Sequence, residues 1–282
     1  MTVDELSVVN KHLRKIRRRA LNPLGGIKSK RSLVDEFAIV HPSILKMNAE
    51  FFSVSFEKFQ GEWVSALNSD PNKQILYLHG GGWVAGCVEK YRPHIARIAA
   101  ITGCVVLAID YRLAPENTFP KGLEDCVTAY KWMLQNGFKD NNTSNLSFIM
   151  GDSSGGNLTL AALLMLKDRQ IDLPDGAIAL SPVTDLSWSS HSIKRNVKSD
   201  AVLNAKLMPV ISHAYLKKIN NPKTPYASPL FGDLRHLPPI LLQVGDTEIL
   251  LDDAVNFFEK AQAAGVDITL EIYPNMPHIF QV

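Results

Sequence analysis

A right-handed α/β sheet with helices on both faces is the fold class this sequence predicts, and three observations carry it. Short apolar runs alternate with amphipathic helical segments along most of the chain. Several of those runs are almost continuously apolar, as parallel strands buried on both faces must be. The chain has 282 residues, 46% hydrophobic and 21% charged, enough for one globular domain with a sizeable core and room for an appended cap.

The elements follow in order. "FFSVSFEKF" and "EWVSAL" read as an opening antiparallel pair. Six strand candidates come after them: "QILYLHG" (74–80), "GCVVLAIDY" (103–111), "NLSFIMGD" (145–152), "GAIALSP" (176–182), "PPILLQVG" (238–245) and "ITLEIYP" (268–274). Four amphipathic segments lie between these strands: "YRPHIARIAAITG", "GLEDCVTAYKWMLQNGF", "GNLTLAALLMLKDRQ" and "DDAVNFFEKAQAAG". Two segments break the rhythm. Residues 1–48 are basic and helix-like, and residues 185–225 insert a polar stretch after a strand's C-terminal end. An insertion there lies over the edge where open α/β sheets bind ligands. Both segments are expected to form a helical cap over a catalytic domain of residues 49–282, with plain surface decoration as the alternative.

The formal net charge of +2 implies no strong pull toward nucleic acid. Nine Lys and Arg with no acid crowd into residues 11–31. That stretch reads as a solvated helix face with buried stems, with membrane or polyanion contact as the alternative. Cys87, Cys104 and Cys126 form no C-x-x-C pair, which argues against a zinc site or a disulfide framework and for a reducing compartment. The N-terminus lacks an apolar core of signal-peptide length, and Asp4 and Glu5 fit a transit peptide poorly. No apolar run is long enough to span a bilayer. The expectation is a soluble cytoplasmic protein with no nucleic-acid partner and no stable membrane insertion.

Chemistry enters at "FIMGDSSGGNLTLAALL" (148–164). Gly151-Asp152-Ser153-Ser154-Gly155 is a G-x-S-x-G match set between a strand and a helix, the context of a nucleophile elbow. There the Ser153 hydroxyl stands at a helix N-terminus, whose dipole favours developing negative charge. Attack on an acyl carbonyl would create an oxyanion needing fixed N–H donors. Ser154 supplies one amide. "ILYLHGGGWVAG" (75–86) offers others on a main chain bare of side chains: Gly81 and Gly82 are the expected donors, Gly80 sets the turn and His79 braces the loop.

A serine hydroxyl needs a base, and the base an acid to orient it. Among eight histidines, His278 follows the last strand candidate. His94 falls within a helix, His191 and His213 in the insertion, His12 and His41 in the N-terminal segment, and His236 at the wrong end of a strand. The acid belongs after "PPILLQVG", where Asp246 and Glu248 both qualify and composition does not separate them.

Five segments in this order, "HGGGW", "DYRLAPE" (110–116), "GDSSGG" (151–156), "YASPLFGDLRHLPPILLQVG" (226–245) and "MPHIF" (276–280), resemble the hormone-sensitive-lipase family of α/β-hydrolases, especially its bacterial carboxylesterases. The resemblance covers residues 50–282 and implies an α/β-hydrolase fold, a mostly parallel central sheet flanked by helices with a helical cap. Ser154 stands where the family commonly has alanine, keeping the backbone donor. The family's "DPLRD" lines up with "EILLD" (248–252), which favours Glu248 over Asp246 as the acid, 30 positions before His278. Asp110, Arg112 and Glu116 read as structural, Arg112 paired with a carboxylate. The resemblance also implies a final helix after the histidine, where this sequence continues only through residues 279–282. The activity implied is a serine esterase on small-molecule esters of short to medium acyl chain, needing no metal or cofactor, with a homodimer left open. An amidase, lactonase or arylacetamide deacetylase on the same residues is the alternative, and a non-catalytic receptor of the same fold the remote one.

Overall fold

The computed structural model describes residues 3–20, 48–139, 145–217 and 219–282. Among these, eight strands form one sheet: β1 (Ala49–Ser55), β2 (Gln60–Ala66), β3 (Asp70–Leu78), β4 (Cys104–Asp110), β5 (Leu146–Asp152), β6 (Gly176–Leu180), β7 (Ile240–Gly245) and β8 (Ile268–Tyr273). Their order is β1-β2-β4-β3-β5-β6-β7-β8. Strand β2 runs antiparallel to both of its neighbours, and every later pairing is parallel. Seven helices among the described residues accompany the sheet: α1 (Val3–Ala20), α2 (Val88–Thr102), α3 (Lys121–Asn136), α4 (Ser154–Asp168), α5 (Ser192–Arg195), α6 (Met208–Leu216) and α7 (Leu251–Ala263).

Alternation along the central strands explains why both faces are covered. Ile75 and Tyr77 of β3, with Val106 and Ala108 of β4, face one side and pack on Tyr91, Ile95 and Ala99 of α2. Leu76 and Leu78, with Val105, Leu107 and Ile109, face the other and pack among the apolar side chains of α3 and α4. A period of two with apolar residues at every position forces this two-sided burial. Each large aliphatic side chain so buried contributes roughly 1.5–3 kcal/mol.

The parallel strands all end at one edge, so the loops after β3, β5, β6, β7 and β8 meet there. The insertion lies over that edge: Ile211 of α6 comes so close to Gly82 that a Cβ on the glycine would sit 3.0 Å from Ile211 Cγ2. Helix α1 packs on the insertion. Its buried Leu13 meets Ala201 and Val202, and Arg17 donates to the carbonyls of Asp200 at 2.5 Å and Val197 at 3.0 Å. Arg18 and Arg19 remain exposed. Residues 21–47, with His41, Lys28, Lys30 and Arg31, lie outside the described residues. Among those described, no helix is long and apolar enough to cross a membrane.

Arg112 is paired as its sequence setting suggests. It makes a bidentate bond to the Asp125 carboxylate, with Nη2 and Nε both 2.8 Å or less from it, and its main-chain N–H donates to the same group at 2.9 Å. Asp110 accepts the Val88 N–H at 2.7 Å, satisfying a donor in the first turn of α2.

Candidate active site

Strand β5 ends at Asp152 and α4 begins at Ser154, so the chain turns from strand to helix through one residue. Ser153 takes that turn at φ 54° and ψ −115°, a left-handed backbone that costs a non-glycine residue about 1–3 kcal/mol. The turn is held by the Ser153 N–H donating to Leu180 O at 2.8 Å. Its tightness dictates the flanking glycines. A Cβ at Gly155 would lie 1.9 Å from Leu78 O, and one at Gly151 would lie 2.4 Å from Gly155 O. Both obstacles are main-chain atoms that have nowhere to go. Gly155→Ala should therefore destabilise the fold by about 3 kcal/mol, read as a lowered denaturation midpoint with an unchanged slope.

From this turn a line of polar atoms crosses the edge. Ser153 Oγ is 2.9 Å from His278 Nε2, and His278 Nδ1 is 2.6 Å from Glu248 Oε2. The partners set the tautomer: Nδ1–H donates to the carboxylate and Nε2 accepts the serine proton. The other carboxylate oxygen, Oε1, accepts the Gly245 N–H at 2.6 Å and the Ser181 hydroxyl at 2.7 Å. Glu248 is fully buried and His278 nearly so. Burial alone would lower the imidazole pKa, but the carboxylates of Glu248, Asp200 and Asp152 raise it above its ordinary 6.5 on balance.

Asp246 lies apart from this line. Its Oδ1 accepts the Asn275 N–H at 2.7 Å, fastening the loop before His278. Of the other histidines, His94 is buried in α2 and pushed down to about 4 by burial and by Arg97. His12, His191 and His213 stand on α1, at the start of α5 and on α6, and His236 precedes β7.

The glycine loop after β3 is braced from beneath. Asp152, next to the elbow serine and fully buried, accepts the Gly80 N–H at 2.9 Å, the Tyr77 hydroxyl at 2.7 Å and the Tyr91 hydroxyl at 2.9 Å. His79 donates from Nδ1 to Gly80 O at 2.7 Å and stacks on Tyr111, ring centroids 4.4 Å apart. Gly81 (φ 122°) and Gly82 (φ 64°) hold conformations that L side chains rarely adopt. A Cβ at Gly81 would stand 2.2 Å from Ala85 O. Trp83, the next residue, stacks on Tyr215 of α6 at 4.6 Å and donates to Asn157 Oδ1 at 3.3 Å, tying the loop to both the insertion and α4.

The fold brings Ser153, His278 and Glu248 into one line and ties the glycine loop to the elbow through Gly80 and Asp152. Ser181, unmarked by any motif, joins them: its hydroxyl donates to Glu248 and accepts the Ile279 N–H at 3.2 Å. A polar residue closing the apolar run "GAIALSP" at the strand's C-terminal end was the available signal. Among the described residues, no group of three or more His, Cys, Asp or Glu could hold a metal ion.

A part-buried serine hydroxyl bonded to a buried imidazole–carboxylate pair at the strand ends of an open α/β sheet defines a class of nucleophilic hydrolases. Residues 75–282 match the family described as alpha/beta hydrolase fold. An esterase of Acinetobacter venetianus is 37% identical over 223 residues, 79% of this chain and 72% of that protein. An acetyl-hydrolase of Streptomyces hygroscopicus is 36% identical over 219 residues, 78% and 71% of the two chains. The crystal structure of an esterase from the bacterial hormone-sensitive lipase family superposes with a TM-score of 0.89 at 36% identity, covering 99% of this chain and 91% of that one. The chain belongs to the α/β-hydrolases, in their hormone-sensitive-lipase family.

Proposed function

We propose that Ser153, His278 and Glu248 are the catalytic triad of a serine carboxylesterase acting on small-molecule esters of short to medium acyl chain. The observation that supports this most is the unbroken line of bonds, 2.9 Å and then 2.6 Å, from hydroxyl to carboxylate. Ser153 Oγ attacks the ester carbonyl carbon while His278 Nε2 takes its proton, and Glu248 stabilises the imidazolium. The tetrahedral oxyanion lies against the amides of Gly81, Gly82 and Ser154. His278 then protonates the leaving alcohol, and water attacks the acyl-enzyme by the same route to release the acid. Helix α1 and the 185–225 insertion form the cap, with α6 closing the acyl side above Gly82. The acetyl-hydrolase among the relatives favours the short acyl range. Three free cysteines suit a cytoplasmic setting.

The base works only when neutral. With the His278 pKa raised, kcat/KM should climb with pH along an acid limb whose midpoint lies above 6.5, measurable on a soluble nitrophenyl ester. The function itself is tested by treating the protein with a nitrophenyl organophosphate and locating the adduct by peptide mass spectrometry. Stoichiometric labelling at Ser153, together with turnover of acetyl to hexanoyl esters, is expected. An unlabelled serine, or cleavage of the longest acyl chains alone, overturns the reading.

A further inference from the structure

The main chain of the acid loop is held by side chains from one distant stretch of the insertion, residues 192–200. Asn196 Nδ2 donates to Asp246 O at 2.9 Å and to Glu248 O at 2.7 Å. Ser199 Oγ donates to Thr247 O at 3.1 Å, and Ser192 Oγ to Ile249 O at 2.7 Å. The carbonyls of residues 246 to 249 thus all meet side chains of that stretch. The Ile249 N–H, directly after the acid, donates to Asp200 Oδ2 at 2.9 Å. Asp200 is itself fixed, because its other oxygen accepts the Val202 and Leu203 N–H groups at 2.9 and 2.8 Å, and it is fully buried.

We propose that Asp200, with Asn196, is a positioning residue for the triad acid: the 192–200 stretch clamps the loop that sets where the Glu248 carboxylate stands, and Asp200 adds a second negative charge behind the Glu248–His278 pair. The inference rests on the triad reading above. The charged groups facing His278 come from three elements: Glu248 after β7, Asp152 at the elbow and Asp200 on the insertion. All three favour the imidazolium, and burial opposes them. A loop displaced by about 1 Å would weaken the bond to the imidazole, and misplacement of that order costs up to about 100-fold in rate.

The test is Asp200→Asn beside Asn196→Ala and Glu248→Ala, each assayed for kcat, KM and pH dependence on a short nitrophenyl ester. The Asp200→Asn side chain would keep an oxygen for Val202 and Leu203 but turn an amide nitrogen toward the Ile249 N–H, donor against donor. The expected result is a kcat lower by roughly tenfold or more with KM unchanged, and an acid limb of kcat/KM moved to lower pH. A purely structural role would lower the unfolding temperature and leave that limb in place. If Glu248→Ala is inactive while Asp200→Asn keeps the wild-type limb, the clamp is wrong and the triad stands. If Glu248→Ala turns over like wild type, both readings fall. Should Asp200→Asn not fold, the acid limb of Asn196→Ala decides by the same criterion.

Discussion

Ser153→Ala should abolish ester turnover, a loss on the order of 10⁶-fold in kcat, while the protein stays folded. The reason for the size is that the triad acts as one unit: without the hydroxyl, His278 has a proton acceptor aimed at nothing that can attack. Residual rate over water, of order 10³, would come from the amides of the glycine loop and of Ser154 acting on a directly attacking water. Folding should be preserved because alanine meets the same left-handed φ of 54° that serine already tolerates, and its smaller side chain clears the strands on either side. A matched thermal unfolding curve with turnover gone is the outcome that assigns the loss to chemistry. Turnover within a few tenfold of wild type would remove Ser153 from the mechanism.

That residue was legible in the sequence because the elbow's sterics are written locally. Gly151 and Gly155 stand two positions either side of Ser153, and the Cβ distances of 2.4 Å and 1.9 Å to main-chain oxygens show why nothing larger fits. The strands were legible for a similar reason: two-sided burial leaves no position for a polar residue between Ile75 and Leu78 or between Val105 and Ala108. His278 followed from chain order. What the sequence hid were relations across the fold. Ser181 supports Glu248 from 67 positions away, and Asn196 reaches Glu248 O across 52. The 192–200 stretch carries no periodicity because its side chains serve another loop's carbonyls rather than a core. Asp152 reads from sequence as one letter of the elbow motif, yet its two oxygens join β3, α2 and the glycine loop.

The same limit applied to the acid, where two carboxylates two positions apart looked alike, and here the second large effect is expected. Glu248→Ala should lower kcat on the order of 10⁴-fold, the magnitude for losing the group that fixes a catalytic imidazole's tautomer. Asp246→Ala should keep kcat within roughly tenfold, about 1.4 kcal/mol of barrier, and lose about 2 kcal/mol of stability with its charged bond to the Asn275 N–H. The asymmetry follows from how each side chain leaves the loop. Glu248 has Oε1 pinned by the Gly245 N–H and the Ser181 hydroxyl, so its second oxygen can only face Nδ1, at 2.6 Å. Its extra methylene, relative to aspartate, spans the gap left by a loop that Asn196 and Asp200 hold in place. Glu248→Asp should therefore fall between the two, its carboxylate unable to keep the anchor and the imidazole together. Side-by-side kcat values for the three variants on one short ester check the assignment, and a reversal of the first two would move the acid to Asp246.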